Sequence, residues 1–133
     1  MPFLIDSDVL FDHREGQLGA HDALEQLAPE GLAISIVTYM EAYQGTLRSP
    51  EPERARANLA IFLAGVPILP FSQAAARRCA ELREELTRND KRVRSRALDL
   101  MTAAIALEHG YAVVTRNRRD YEDVPGLTLY EPS

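Results

Sequence analysis

Four places along the chain put a carboxylate or an amide where an acid-lined pocket can form. Asp6 closes the apolar run Phe3-Leu4-Ile5. Glu41 follows the β-branched segment that ends near Val37, and Asp99 stands near the start of an alanine-rich stretch. Asn117 follows Ala112-Val-Val-Thr115, with Asp120 three residues on. Carboxylates brought together repel one another, and one is forced neutral unless a cation joins them. Hard divalent ions resolve the conflict: Mg²⁺ and Mn²⁺ take oxygen ligands, and Mg²⁺ commonly uses one or two carboxylates with waters and a substrate phosphate. Such a centre activates water and stabilises a leaving oxygen in phosphodiester hydrolysis. Each residue also has a plain structural alternative. Asp6 can cap the helix after it, Glu41 can close a capping box with Thr38, and Asp99 can complement a helix dipole. Asn117 and Asp120 can be ordinary turn residues, and Asp8 reads as a cap or a neighbour of the site. His13, His21 and His109 lack metal-ligand spacing, and the chain has no phosphate-binding glycine loop or Ser-His-Asp order.

The elements that must position these groups follow from the pattern of apolar residues. Phe3–Asp6 reads as a buried strand, followed by a short helix capped by Ser7 or Asp8 and running to Phe11 or Asp12. A turn is expected at Gly16–Gly19 and a helix over Ala20–Ala28, with Ala23, Leu24, Leu27 and Ala28 on one face. Leu32–Val37 alternates as a second strand, and Thr38 with Glu41 predicts a capped helix to about Leu47. Glu53–Leu63 is expected to be helical, with Ala57, Ala60, Ile61 and Ala64 as its apolar side. Val66–Leu69 forms a third strand. Ser72 caps a long helix to about Arg88, with Ala75, Cys79, Leu82 and Leu86 inward. A basic loop leads to a helix opening at Ser95 or Ala97 and ended by Gly110. Tyr111–Thr115 is a fourth strand, and Leu127–Tyr130 follows a polar loop with one helical turn. Strands alternating with helices predict an α/β fold, a three-layer α/β/α sandwich around a mainly parallel sheet. Parallel strands set their carboxyl ends on one edge, where ligands bind. Asp6, Glu41 and Asn117 therefore meet there, and Asp99 joins them if its helix starts on that edge.

The 133 residues suit one domain, 1–133, and 46% hydrophobic content supports a core. The most apolar segment, Leu59–Phe71, is too short to cross a membrane and is broken by Gly65, Pro67 and Pro70. No secretory signal is recognisable, and the single cysteine excludes an intrachain disulfide; both fit a cytoplasmic protein. The net charge of −5 is the wrong sign for a nucleic-acid binder on average, yet its distribution is uneven. Arg88–Arg96 and Arg116–Arg119 are basic clusters, and Lys91 is the only lysine. Arginine favours bidentate phosphate contacts, so Arg92, Arg94, Arg96 and Arg116 are candidate phosphate contacts.

Leu4-Ile-Asp-Ser-Asp-Val-Leu10 resembles the opening of the PIN-domain ribonucleases. Ser35-Ile-Val-Thr-Tyr-Met-Glu41 is similar to their Ser-x-x-Thr-x-x-Glu motif. The stretch Asp99 to Ala106 resembles their Asp-x-x-Ile-Ala-Ala-x-Ala motif, with Thr102 where isoleucine is usual. Val114-Thr-Arg-Asn117, Arg119-Asp-Tyr121 and Val124-Pro-Gly-Leu127 are similar to the closing motif of the VapC toxin branch. The resemblance implies a single PIN domain and a Mg²⁺- or Mn²⁺-dependent endoribonuclease, the toxin of a toxin–antitoxin pair. It implies Asp6, Glu41 and Asp99 as an acidic triad, with Asp6 and Asp99 as metal ligands. The fourth position falls on Asn117 or Asp120, and Thr115 and Ser7 would hold Asp6 through their hydroxyls. The implied partners are RNA, a cognate antitoxin protein and a second copy of the chain, with no membrane. Two other readings compete. Asp6-Ser-Asp8 also fits the start of a haloacid dehalogenase-like phosphatase, with Asp6 as nucleophile and Asp8 as acid. A non-catalytic binding module would use the acids only as caps.

Overall fold

A central strand with no polar side chain organises the molecule. In the computed structural model, which describes residues 1–14 and 18–132, Phe3–Ile5 forms β1. The chain then builds α1 (Ser7–Arg14), α2 (Leu18–Leu27) and β2 (Leu32–Ser35). Next come α3 (Ile36–Leu47), α4 (Pro52–Leu63), β3 (Ile68–Leu69) and α5 (Gln73–Arg88). After them lie α6 (Ala97–His109), β4 (Ala112–Val114) and β5 (Leu129–Tyr130), with single 3₁₀ turns at Ala28–Glu30, Arg94–Arg96 and Arg118–Asp120. The five strands are all parallel, in the order β3-β2-β1-β4-β5. The chain runs outward from β1 to one edge, then crosses back to the other side at β4. The strand order therefore reverses at β1, where an open parallel sheet forms its ligand crevice.

The period of two along the strands divides the core between the faces. Leu4, Ala33 and Val113 point to one side, where they pack with Cys79, Leu82 and Leu86 of α5 and with Leu100, Ala103 and Ala104 of α6. Ile5, Ile34 and Val114 point to the other, against Val9 and Leu10 of α1, Leu24 and Leu27 of α2 and Leu59 of α4. The alanines of α6 let its axis lie close to both the sheet and α5. The expected α/β/α sandwich with a parallel sheet is what the chain forms.

Most element boundaries agree with the sequence reading, and the departures have causes. The strands are shorter than expected: β1 and β2 give way at once to α1 and α3, and β3, β4 and β5 pair only over Ile68–Leu69, Ala112–Val114 and Leu129–Tyr130. The second strand ends at Ser35 rather than Val37. Ser35, not Thr38, is the N-cap of α3: its Oγ accepts the Thr38 amide at 3.0 Å. The proposed Thr38–Glu41 capping box is therefore absent, and Glu41 lies in the second turn of α3, not the first. Ser35 Oγ also lies 3.1 Å from Thr102 Oγ1 on α6, so the position where isoleucine was expected carries a buried hydroxyl contact. We expect Ser35→Ala to lower unfolding stability by about 1–2 kcal/mol through loss of the cap and of this contact, read by urea denaturation. Ser72 does cap α5, accepting the Ala75 amide at 3.1 Å, and Gly110 ends α6 in the left-handed region with φ of 74°.

The expected turn at Gly16–Gly19 lies largely outside the described residues, and Gly19 itself is within α2. Helix α4 buries Leu59, not the expected side: Ala57, Ala60 and Ala64 are exposed, and Ile61 is 73% exposed. Among the described residues no helix is long and apolar enough to cross a membrane.

Candidate metal centre at the carboxyl edge of the sheet

The site begins as a continuation of the sheet. Ile5 pairs in register with Val114, so the next residues along, Asp6 and Thr115, fall side by side at the carboxyl edge. The Asp6 amide still bonds to the Val114 carbonyl at 2.9 Å, which holds the Asp6 backbone at the strand end. Thr115 Oγ1 then donates to Asp6 Oδ2 at 2.9 Å and accepts the Asn117 amide at 2.9 Å. Asp6 is only 4% exposed. Burial, then the charges of Asp8 and Asp99, push its carboxyl up to about 7.

Asp99 stands in the first turn of α6, and its helix does start on this edge. Burial, followed by the charge of Asp120, pushes it up to about 6. Tyr121, fully buried, donates its hydroxyl to Asp99 Oδ1 at 3.2 Å. Glu41 is half-buried, and its carboxyl is raised by burial while a hydrogen bond from the Ser7 side chain lowers it. Ser7 thus differs from expectation. Its hydroxyl serves Glu41, and only its backbone amide serves Asp6.

The two candidates for the fourth position have separate roles. Asn117 is exposed, and its side-chain amide donates to Asp120 Oδ2. Asp120 in turn faces Asp99. Burial alone would raise the Asp120 carboxyl, but the hydrogen bond and charge of Arg92 outweigh it and hold it low. Arg92 Nη2 reaches Asp120 Oδ1 at 2.8 Å. The geometry therefore brings Asp120 to the cluster and sets Asn117 behind it.

Three arginines of the expected phosphate-binding set behave differently from that role. Arg96 is 2% exposed and clamps Asp123 through both guanidinium nitrogens, with Nη2 to Oδ2 at 2.8 Å. Its Nε and Nη1 donate to the carbonyls of Arg92 and Asp120. Arg96 is thus a structural clamp and cannot face RNA. Arg92 is committed to Asp120, Ser95 and the Arg119 carbonyl. Arg116 is half-buried, with its amide on Asp8 Oδ2 at 3.0 Å. Arg94, Arg118 and Arg119 are exposed along this rim, Arg118 paired with Glu122.

Asp8 has its Oδ2 on the Arg116 amide and 3.5 Å from Thr115 Oγ1, tying the loop after β4 to the start of α1. This is poor placement for the free proton donor that the phosphatase reading requires. The late acids that reading would use are also engaged, Asp123 by Arg96 and Glu122 by Arg118 at 3.7 Å.

Carboxylates raised first by burial and then by the charge of neighbouring acids are a donor set suited to a hard divalent cation. Among the described residues no three acidic, imidazole or thiol groups stand close enough to encage an ion by themselves. Two carboxylates completed by waters is a coordination that Mg²⁺ commonly adopts, so the donor set fits the ion.

A parallel sheet in this order with acids at its reversal point is the architecture of a PIN domain. A model of the PIN domain family matches residues 3–127, and the chain belongs to that family. The tRNA(fMet)-specific endonuclease VapC of Shigella flexneri is 36% identical over 96 residues, 72% of this chain and 71% of that protein. Ribonuclease VapC2 of Rickettsia felis is 30% identical over 110 residues, covering 82% of this chain and 81% of its own. Among solved structures, VapBC2 of Rickettsia felis bound to a promoter DNA fragment superposes with a TM-score of 0.89 at 25% identity, over all of both chains. DNA-bound VapBC of Salmonella typhimurium gives 0.86 at 28% identity over 98% of each chain. Within the PIN family the chain falls in the VapC toxin branch.

Proposed function

We propose that the chain is a Mg²⁺- or Mn²⁺-dependent endoribonuclease acting as the toxin of a toxin–antitoxin pair. The observation that carries this reading is the meeting of buried Asp6 and half-buried Asp99 at the sheet's reversal point, each raised well above the ordinary carboxylate range by burial and by neighbouring acids. A fold stores that repulsion to little purpose unless a cation relieves it. Asp6 and Asp99 would hold the ion, with Glu41 orienting a ligand or water beside them. When bound, a divalent ion supplies positive charge that polarises water and offsets the charge gathering on the scissile phosphate.

The chain's own residues do the rest. Thr115 fixes which Asp6 oxygen faces the site, and Ser7 does the same for Glu41. Arg92 and Asn117 hold Asp120 beside Asp99. Arg94 and Arg119 stand free of the core at the rim, where charge-assisted contacts to the RNA backbone are available. Relatives named as tRNA(fMet)-specific endonucleases make initiator tRNA the first substrate to try.

The partners in this reading are RNA, an antitoxin protein and a second copy of the chain. Ile36, Met40, Tyr43 and Leu47 are exposed along one side of α3, and Ile61 is exposed on α4. They supply apolar area for a protein partner. The apolar side of α2 is spent in the core.

The test is cleavage-site mapping by RNA end analysis with and without Mg²⁺. Metal binding has its own readout. Mn²⁺ at about a hundred times its dissociation constant should stabilise the fold by roughly 2.7 kcal/mol, seen as a rise in Tm. A Tm indifferent to saturating Mn²⁺ and Mg²⁺ would count against the metal centre.

A further inference from the structure

One buried phenol reaches into the acidic site. Tyr121 is fully buried, and it follows the Arg118–Asp120 turn that carries the fourth acid. Its ring packs in the core on the α5/α6 side of the sheet with Leu100, Ala103 and Val113. A phenylalanine would satisfy that packing. The hydroxyl is the part that needs a reason, because a buried phenol without a partner is costly.

Its partner is the site itself. The hydroxyl donates to Asp99 Oδ1 at 3.2 Å, and Asp6 is close enough to the same phenol to act on it as well. Thr115 makes the matching contact on the other acid, donating to Asp6 Oδ2 at 2.9 Å. One short segment, Thr115 to Tyr121, thus sends a hydroxyl to each of the two acids. A hydroxyl donor on one carboxylate oxygen leaves the other oxygen to face outward and favours the ionised form that a cation needs.

We propose that Tyr121 is a positioning residue for the metal centre: its hydroxyl orients Asp99 and holds that carboxylate ready for a divalent cation. This rests on the metal-dependent reading above and extends it to a residue outside the acidic set. The partner groups facing the phenol are Asp99 and Asp6, and Arg96 and Arg92 approach the same turn from the α6 side without bonding to the hydroxyl.

The experiment compares Mn²⁺ binding by calorimetry in the parent protein, Tyr121→Phe, Asp6→Asn and Asp99→Asn. Tyr121→Phe keeps the ring and the fold, and we expect its Mn²⁺ affinity to fall by roughly 10–100-fold, as when a ligand loses its supporting hydrogen bond. The Mg²⁺ concentration for half-maximal cleavage should rise by a similar factor, while KM for RNA at saturating Mg²⁺ stays at the parent value. In an Asp99→Asn background the same change should cost nothing further, because the carboxylate it orients is gone. Parental Mn²⁺ affinity in Tyr121→Phe, or a lower Tm with unchanged affinity, overturns the proposal and leaves the tyrosine a packing residue.

Asp6→Asn separates this failure from failure of the metal reading. If that variant binds Mn²⁺ as the parent does, the metal centre itself is wrong. A second measurement needs no substitution: in the parent protein, Mn²⁺ should broaden the Tyr121 ring resonances well before those of exposed Tyr43. Equal broadening of the two would also overturn the assignment.

Discussion

Asp6→Asn is expected to lower RNA cleavage by roughly 10³-fold or more and, in the absence of metal, to make the protein more stable. The two effects share one cause. The Asp6 carboxyl sits 4% exposed beside Asp8 and Asp99, and burial with their charges lifts it to about 7. In the unfolded chain the same group is an ordinary acid. Between about pH 4 and pH 7 the folded form therefore holds the proton more strongly than the unfolded form does. Stability from this group is fully present below about pH 4 and is lost as pH rises through about 7. Asparagine carries no charge to repel and still accepts the Thr115 hydroxyl. At neutral pH the substitution should recover on the order of 3 kcal/mol, or roughly 10 °C in Tm. The gain should shrink toward zero at pH 4. Thermal melts of metal-free parent and variant across that range decide it. A variant melting below the parent at pH 7 would mean that the acid cluster is not strained. Saturating Mn²⁺ should narrow the gap, because it stabilises only the parent.

Arg96→Ala is expected to cost about 3–5 kcal/mol of stability, a large share of a typical domain's total. Arg96 is 2% exposed, and its guanidinium meets Asp123 with two nitrogens and the carbonyls of Arg92 and Asp120 with Nε and Nη1. Removing it leaves a carboxylate and two carbonyls short of donors. Lysine should not rescue, since a point charge cannot reproduce the planar fork. Urea denaturation measures the loss, and a cycle with Asp123→Asn should show strong coupling between the two sites. The pH dependence has the opposite sign to that of Asp6. The hydrogen bond and charge of Arg96 hold the Asp123 carboxyl below its usual range. That contribution is present above about pH 4 and is lost as pH falls through the depressed value. Activity should suffer as well, because the clamp ties the turn before Asp99 to the turn that carries Asp120.

The comparison of Arg92, Arg94 and Arg96 shows where sequence reading stops. All three lie in one basic stretch and look equivalent as residue types. Only the fold separates them: Arg94 faces solvent, Arg92 serves Asp120, and Arg96 is buried. The signal for Arg96 was available only as the late Asp123, an acid with no local partner, and distance along the chain hides that pairing. Ser7 is a similar case. Its position beside Asp6 suggested an Asp6 contact, but the helix that begins at Ser7 turns its hydroxyl toward Glu41.

By itself the sequence determined the layered α/β architecture, the strand-ending acid Asp6, the early-helix acid Asp99, the capped long helix from Gln73 and the family. These rest on local rules: apolar period, capping residues, and the fact that parallel strands bring their carboxyl ends to one edge. Tertiary structure alone decided what each polar group touches. It replaced Thr38 by Ser35 as the cap of α3, set Asn117 behind Asp120, turned Ile61 of α4 outward and put the Tyr121 hydroxyl on Asp99. The physical reason is the reach of the two kinds of force. Backbone propensity and hydrophobic period act over a few neighbours and can be read along the chain. Hydrogen bonds and ion pairs act over about 3 Å between groups as many as 109 residues apart, so their partners exist only once the sheet has assembled.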